Sequence, residues 1–265
     1  MNKIIHWDSE IVLSKIKSNT IDMVITSPPY DNMRDYNWNI VWDFNKFKSI
    51  ARKLTRVLKE WWIIVWVVWD ETVLWSESCS SFKQALFFKE ECGLNLHDTM
   101  IYQKHNFANP SMNRYHQIFE YMFIFSKWKP KTFNPISDRE NINTWTRKRS
   151  PSRRQDWSMR IKDGIVDVWK YGMRYNIWKY TTWGFSSTKD KVAFKHPAMF
   201  PEELVKDHIL TWTNPGDLVL DPFAGSWTTW KMAKVLRRPY IIIEKEKEYC
   251  NISKIRIDSV ETIES

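Results

Sequence analysis

The sequence predicts an α/β fold in which a mostly parallel sheet is covered by helices on both faces. Two observations lead to this class. Short apolar runs typical of buried strands alternate with segments of helical spacing, and no repeat with a period of roughly 20 to 50 residues is present, which excludes solenoids and propellers. At 265 residues the chain is long enough to bury a sizeable core.

The elements of the first half follow from periodicity and from their ends. Ile21 to Thr26 is an apolar run, and the prolines of Ser27-Pro28-Pro29-Tyr30 end it because proline cannot donate to a sheet ladder. Asp43 to Lys59 has apolar residues on one helical side and Asp43 in the N-cap position. The further predicted elements are a strand at Ile63 to Val68, a helix at Ser80 to Glu91, and strands at Asp98 to Gln103 and Glu120 to Ser126.

The second half repeats the alternation. A helix is predicted at Pro201 to Leu210, and Asn214 to Asp217 forms a turn into a buried strand that ends at Asp221. The remaining elements are a helix at Thr228 to Leu236, a strand at Tyr240 to Glu244 and a helix at Lys245 to Ile257. In such sheets ligands bind beyond the carboxyl ends of the strands, where two punctuated motifs fall.

The basic charge is concentrated in one segment. The net charge is +9, and the stretch from Thr146 to Lys195 carries a surplus of the same size, so the rest of the chain is neutral. Aromatic residues interleave with these cations, a combination expected where phosphates are neutralised and bases are contacted. They are Trp157, Trp169, Tyr171, Tyr175, Trp178 and Tyr180. The segment predicts nucleic-acid binding, although a charge run is more often a solvated face.

The first motif is Thr26-Ser27-Pro28-Pro29-Tyr30. The prolines stiffen the loop and leave the Pro28 carbonyl free to accept a hydrogen bond, with the Ser27 hydroxyl and the Tyr30 ring beside it. Such a group suits the exocyclic amine of a planar base. The alternative is a plain turn.

The second motif runs from Asp221 to Thr229, at the end of one strand and the start of a helix. A loop of small residues there brings backbone N–H groups and a positive helix end close to a ligand. Glu244 ends the next strand, where an acid commonly takes a ribose hydroxyl pair. The motif predicts a nucleoside-bearing cofactor; the alternative is a strand-to-helix turn with a capping acid.

Together these motifs resemble those of the amino-methyltransferases of DNA, which methylate the N4 of cytosine or the N6 of adenine. Ser27 to Tyr30 resembles the catalytic motif, and Asp221-Pro222-Phe223-Ala224-Gly225-Ser226 resembles the cofactor motif. The catalytic motif comes first, an order that resembles the permuted beta group. Further similar stretches are His6-Trp7-Asp8, Tyr115 to Met122, and His196-Pro197-Ala198-Met199-Phe200-Pro201.

The resemblance implies a Rossmann-like S-adenosylmethionine-dependent fold and direct transfer of a methyl group to a flipped base. It assigns catalysis to Ser27, Pro28, Pro29 and Tyr30. It implies that the cofactor contacts Asp8, His196, Phe200, Pro201, Asp221, Pro222, Phe223, Ala224, Gly225, Ser226, Trp227, Thr228 and Glu244. Serine before Pro28 tilts the resemblance towards N4 of cytosine.

The resemblance also divides the chain. Residues 1–130 and 196–265 form the two parts of the catalytic domain, and 131–195 form the target-recognition region. The residues expected to bind double-stranded DNA are Arg147, Lys148, Arg149, Arg153, Arg154, Arg160 and Arg174. A cognate restriction endonuclease is a candidate second partner. Two rival interpretations stay open: a catalytically inactive DNA-binding protein and an RNA methyltransferase on the same fold.

A metal site, a membrane-spanning segment and a signal peptide are not expected. The three cysteines are far apart, and His6, His105, His116 and His196 do not form a spaced ligand set, so no metal is predicted. No apolar run approaches the roughly 20 residues that cross a bilayer. The N-terminus lacks the basic-then-apolar layout of a signal peptide, and a cytoplasmic protein is therefore expected.

Tryptophan stands where the resembled family has glycine at positions 7, 61, 62, 128, 227 and 230. The chain has only 6 glycines and as many as 17 tryptophans, whereas glycine ordinarily makes up roughly 7% of residues. Two explanations compete. Either the chain is a degenerate, inactive relative, or UGA codons written as tryptophan are read as glycine by the source organism, while residues such as Trp66 and Trp178 are true tryptophans.

Overall fold

The computed structural model describes most of the chain. The described residues are 2–29, 42–107, 110, 112–142, 147–148, 152–154, 156–160, 165–166, 168–181, 200–225 and 227–247. The chain separates into two compact units. Residues 135–175 form the smaller unit, and the larger unit contains the residues on either side.

The larger unit contains an eight-stranded sheet and five α-helices among its described residues. Its strands are β1 (Lys3–His6), β2 (Ile21–Thr26), β3 (Leu58–Val68), β6 (Asn95–Lys104), β7 (Phe119–Ser126), β14 (Ile177–Tyr180), β15 (Val219–Asp221) and β16 (Tyr240–Glu244), and β4 (Thr72–Val73) and β5 (Ser76–Glu77) form a separate hairpin. The helices are α1 (Ser9–Lys15), α2 (Phe44–Val57), α3 (Ser80–Leu86), α4 (Glu202–Trp212) and α5 (Thr228–Val235), and a π-helical turn (Phe87–Glu91) extends α3.

The sheet has the order β1-β16-β15-β2-β3-β7-β6-β14. Only β7 runs antiparallel to its neighbours, so the other strands point the same way and share one carboxyl edge. The predicted α/β fold with a mostly parallel sheet is therefore confirmed. Such a sheet needs helices on both faces because its strands are apolar on both sides.

The core lies on both faces of the sheet. Residues of α1, α2 and α3, such as Leu54, pack with alternate residues of the central strands, such as Trp66, in one apolar cluster. On the opposite face α4 packs against β7, where the His208 ring lies 3.2 Å from the Met122 sulfur. The Asp43 carboxylate accepts the Lys46 N–H at 2.7 Å and caps α2, as its sequence position predicts.

Among its described residues, the smaller unit contains short antiparallel pairings nested one inside the next. β8 (Arg139–Glu140) pairs with β13 (Tyr171–Gly172), β9 (Arg147–Lys148) with β12 (Ile165–Val166), and β10 (Ser152–Arg153) with β11 (Met159–Arg160). This unit is narrower than the predicted recognition region of 131–195, because β14 pairs with β6 in the central sheet.

Neither a membrane-spanning helix nor the last predicted helix can be traced in the described residues. No helix within the described ranges is long and apolar enough to cross a membrane. The helix predicted at Lys245 to Ile257 lies outside the described residues beyond position 247.

Candidate functional site

A hydrogen bond joins the two motifs at the carboxyl edge of the sheet. β2 ends at Thr26 immediately before the Ser-Pro-Pro-Tyr motif, and β15 ends at Asp221, the first residue of the second motif. The two strands are neighbours, and the Thr26 hydroxyl donates to Asp221 Oδ1 at 2.7 Å. Residues 195 positions apart in the chain are thereby brought together.

Asp221 is held by its surroundings. Its side chain is buried and also accepts the Phe223 backbone N–H at 3.0 Å. Burial raises the pKa of Asp221, and hydrogen bonds from the Thr229 and Thr26 side chains and from the Phe223 backbone oppose this rise. A buried carboxylate at a strand end is a group that a ligand cation would stabilise.

Glu244 ends the neighbouring strand, β16, and is also buried. Its Oε2 accepts the Gly225 N–H at 2.7 Å, and its Oε1 accepts the Glu246 N–H at 2.9 Å. Burial, together with the negative charge of Asp221, raises the pKa of Glu244. Two of the predicted cofactor carboxylates, Asp221 and Glu244, therefore lie at one edge, and the charge of Asp221 acts on Glu244.

The loop after β1 adjoins the same edge. β1 pairs with β16, with His6 opposite Glu244. Asp8 caps α1 by accepting the Glu10 and Ile11 N–H groups, and Lys46 lies 3.3 Å from its carboxylate. The sequence predicts Asp8 at the cofactor pocket; in this structure its carboxylate serves as a helix cap.

The sequence analysis placed Thr26 in the first motif without assigning a role to its hydroxyl, and it missed Ser9. The Ser9 hydroxyl donates to the Pro222 carbonyl and so ties the loop after β1 to the second motif. Neither residue carries a local signal, because each partner lies about 200 positions away in the chain and only the strand order brings the two together.

The start of α4 lies beside α5, the helix that follows the second motif. Pro201 is buried and occupies the N-cap position of α4, and Phe200 is partly buried. In the first turn of α4, the Glu202 carboxylate accepts a hydrogen bond from the Lys231 ammonium of α5 at 2.8 Å. The remaining residue of this predicted wall, His196, lies outside the described residues.

The catalytic motif is described in part. Pro28 is buried, and Ser27 and Pro29 are partly exposed at the end of β2. Tyr30 lies outside the described residues. The structure thus places Ser27 next to the strand end that contacts Asp221.

The loop of the second motif folds back onto β16. The Ala224 N–H donates to the Ile243 carbonyl at 3.1 Å, and the Phe223 ring meets Trp42 edge-on. Pro222 and Thr228 are buried, and Ser226 is outside the described residues. Trp227 is fully buried at the start of α5, where its backbone has a φ of 66°.

The residues of the site fit a nucleoside cofactor in part. Buried Asp221 and Glu244 at neighbouring strand ends and the turn at Gly225 suit a ligand with a cation and a hydroxyl pair. Trp227 does not fit, because a side chain on a left-handed backbone fills a place where glycine lets the main chain approach the ligand. The carboxylates fit the cofactor, and this one residue does not.

The predicted DNA-binding residues belong to the smaller unit. Arg147, Lys148, Arg153 and Arg160 lie on its paired strands, Arg154 is exposed, and Arg149 is outside the described residues. Arg174 is engaged with Asp138, whose carboxylate accepts its Nε at 3.1 Å. This contact lowers the pKa of Asp138.

The interpretation of Trp178 and Tyr180 as aromatics of the basic surface was wrong. Both residues belong to β14 of the central sheet. Trp178 is buried and packs against the His208 ring, with centroids 4.6 Å apart and the ring planes tilted by 35°, and the Tyr180 hydroxyl donates to Asp207 at 2.7 Å. Within the part of the chain that is described, no group of three or more His, Cys, Asp or Glu residues is placed to hold a metal ion.

Comparison with known proteins finds matches along most of the chain. A family model described as DNA methylase matches residues 21–255. The orphan methyltransferase M.BamHII of Bacillus amyloliquefaciens is 51% identical over 241 residues, which cover 90% of this chain and 89% of that protein. The type II methyltransferase M2.DpnII of Streptococcus pneumoniae is 28% identical, over 97% of this chain and 89% of that protein.

Solved structures share the fold. The cytosine-N4-specific PvuII DNA methyltransferase superposes with a TM-score of 0.73 at 21% identity, covering 100% of this chain and 88% of that chain. The M1.HpyAVI structure in complex with SAM gives a TM-score of 0.63 at 25% identity, covering 97% and 100%. The topology around the paired motifs is therefore that of known methyltransferases.

Proposed function

Because this chain belongs to the DNA methylase family, we propose that it transfers a methyl group from S-adenosylmethionine to an exocyclic amine of a base in double-stranded DNA. The observation that carries the proposal is the hydrogen bond between Thr26 and Asp221. It joins the strand end that bears the amine-binding motif to the strand end that bears the cofactor motif.

Asp221 and Glu244 are the proposed cofactor-holding carboxylates. S-adenosylmethionine supplies an electrophilic methyl group on a sulfonium. Glu244, already fixed by the Gly225 N–H, would hold the ribose hydroxyls, and Asp221 would hold the amino-acid part. Asp8 and the Phe200-Pro201 segment border this pocket, with His196 and Ser226 as further proposed contacts.

Ser27 and Pro28 are the proposed amine-holding groups. The target base leaves the duplex at a cost of a few kcal/mol and stacks on Tyr30 beside Pro29. The Ser27 hydroxyl and the Pro28 carbonyl hold the amine so that its lone pair points towards the cofactor side. The rate gain comes from positioning. We propose N4 of cytosine as the target because serine precedes Pro28, the tilt that the family resemblance gives.

The smaller unit is the proposed recognition element. A two-stranded ribbon fits the major groove of DNA, and the nested antiparallel pairings of 139–172 have this form. The basic residues concentrate towards the turn between β10 and β11, so phosphate contacts from this end would set affinity. The permuted beta-group arrangement is part of the proposal.

A restriction–modification role is a further part of the proposal. M2.DpnII is named a type II methyltransferase, which supports a cognate endonuclease as a partner. M.BamHII is named an orphan, so its name offers no such support.

Methyl transfer from labelled S-adenosylmethionine to DNA of mixed sequence tests the proposal. Two proteins are compared: the printed chain and a variant with glycine at positions 7, 61, 62, 128, 227 and 230. We expect the glycine variant to label DNA and not RNA, with N4-methylcytosine in the nucleoside digest. A Ser27→Ala change in that variant should abolish labelling and leave DNA binding intact.

Other outcomes select the rivals. DNA binding without transfer by either protein, on DNA of high sequence diversity, would support an inactive DNA-binding protein. This rival is favoured for the printed chain by the buried indole of Trp227. Labelling of RNA alone would overturn the choice of substrate, and N6-methyladenine in the digest would overturn the choice of base.

A further inference from the structure

Three tryptophans have the backbone conformation of glycine. Trp75, Trp157 and Trp227 have φ values of 72°, 66° and 66°, close to the 69° of Gly93. A bulky residue in this left-handed region is a genuine outlier, because its Cβ collides with the backbone. We infer that positions 75, 157 and 227 are glycine in the protein that the source cell makes.

Trp75 lies in a two-residue hairpin loop. Val73 pairs with Ser76 in the β4–β5 hairpin, so Leu74 and Trp75 are the two central residues. Both have positive φ, which defines a type I′ turn, and glycine is the preferred second residue of that turn. The Trp75 side chain is 79% exposed, so no burial compensates for the strain.

Trp157 lies in a second kind of hairpin turn, between β10 and β11. The Trp157 N–H donates to the Arg154 carbonyl at 3.0 Å, and the Arg154 N–H donates to the Ser158 carbonyl at 2.7 Å. This is a three-residue loop that closes with a left-handed residue, the position that glycine takes in a G1 bulge. Asp156 precedes it, and Asp-Gly is a characteristic turn pair.

Trp227 lies in the loop of the second motif. Its N–H donates to the Ala224 carbonyl at 2.8 Å, and α5 begins at the next residue. The left-handed turn directs the chain into the helix, and glycine there would leave the space that the buried indole fills. This observation is independent of the two hairpins.

Two other tryptophans, Trp66 and Trp178, fit their places as tryptophan. Trp66 is fully buried, and its indole N–H donates to Gln84 Oε1 at 2.8 Å. Trp178 is buried in β14 and packs against the His208 ring. A buried indole with a partner for its N–H is the usual role of this residue. Only some of the tryptophans therefore occupy glycine positions, as expected if UGA and UGG codons are both written as tryptophan.

The codons and the residues they specify test the inference directly. We expect UGA at codons 75, 157 and 227 and UGG at codon 66. Peptides of the protein from the source organism should have the masses for glycine at the first three positions and tryptophan at position 66. A UGG codon or a tryptophan mass at any of the three would overturn the assignment there.

Thermal stability of the recombinant chain supplies a second test, which does not depend on the proposed function. Trp75→Gly and Trp157→Gly should each raise the melting temperature by about 2–4 °C over the matched alanine variants. Alanine removes the indole and keeps the strained Cβ. Trp66→Gly should lower the melting temperature, because this change removes a buried side chain. Equal melting temperatures for glycine and alanine at positions 75 and 157 would contradict the inference.

Discussion

At the scale of single residues, we expect the Thr26 hydroxyl to have a large effect on cofactor affinity. Its hydroxyl donates a hydrogen bond to the Asp221 carboxylate, and a hydrogen bond to a charged group contributes about 1.5–3 kcal/mol. We expect Thr26→Val to weaken cofactor affinity by about tenfold to a hundredfold, measured by calorimetry on the chain with glycine at position 227. Thr26→Ser keeps the donor and should retain the affinity; equal affinity of the valine variant would contradict this role.

His208 should govern the response to acid. Its ring is fully buried against Met122 and Trp178, and burial lowers its pKa from 6.5 to about 3. Between pH 6.5 and 3 the His208 ring is protonated in the unfolded chain but not in the folded chain. The free energy of unfolding therefore falls as the pH drops from 6.5 towards 3.

The measurement is denaturant unfolding at several pH values. One pH unit below 6.5 the loss from this histidine should be about 1.4 kcal/mol relative to neutral pH. The His208→Leu variant should lose less stability over the same pH interval than the unsubstituted chain. An unchanged slope in the His208 variant would show that this ring does not resist protonation.

At the scale of elements, the sequence predicts the central strands well and the edge strands poorly. β2 is mostly apolar and buried along its whole length, and the inner part of β3 is a continuous apolar run, because helices cover both faces of the sheet. β1 and β14 were missed. Each has four residues and at most one buried side chain, and pairing with β16 or β6 rather than composition makes it a strand.

The same contrast holds within the site. Asp221 and Glu244 were predicted because each ends an apolar run, and strand ends are visible in a sequence. The contacts that fix them were not visible, since Thr26 and Ser9 acquire their partners only through the order of the strands. The left-handed turn at position 227 likewise depends on backbone geometry that periodicity does not encode.

A buried ion pair fixes β6 to β7 at the carboxyl edge. Lys104 Nζ lies 2.6 Å from Glu120 Oε1, and their side chains are only 17% and 8% exposed. Removing one partner of such a pair leaves an uncompensated charge and costs about 3–5 kcal/mol, whereas an apolar replacement of both is often neutral. Glu120→Gln should therefore lower the free energy of unfolding by about that amount, and Lys104→Met with Glu120→Leu should recover most of it. Equal losses in the two variants would contradict the charge explanation.

At the scale of the whole molecule, charge and chemistry are segregated. The surplus of +9 lies within Thr146 to Lys195, a stretch that includes the basic end of the smaller unit, while the carboxylates of the candidate site lie in the larger unit. Affinity for DNA and affinity for the cofactor should therefore respond to different substitutions.

Replacing Arg147, Arg149, Arg153 and Arg154 with glutamine should weaken DNA binding and leave cofactor affinity unchanged. Each phosphate contact contributes about 0.9 to the slope of log affinity against log salt on duplex DNA, so the loss of these cations should flatten the slope by up to about 4. Titration of labelled duplex at several salt concentrations measures this. Glutamine at Lys15, Lys17, Lys48 and Lys89, which lie in the larger unit, is the matched control for net charge. A slope that changes equally in both variants would show that binding follows total charge and not the smaller unit.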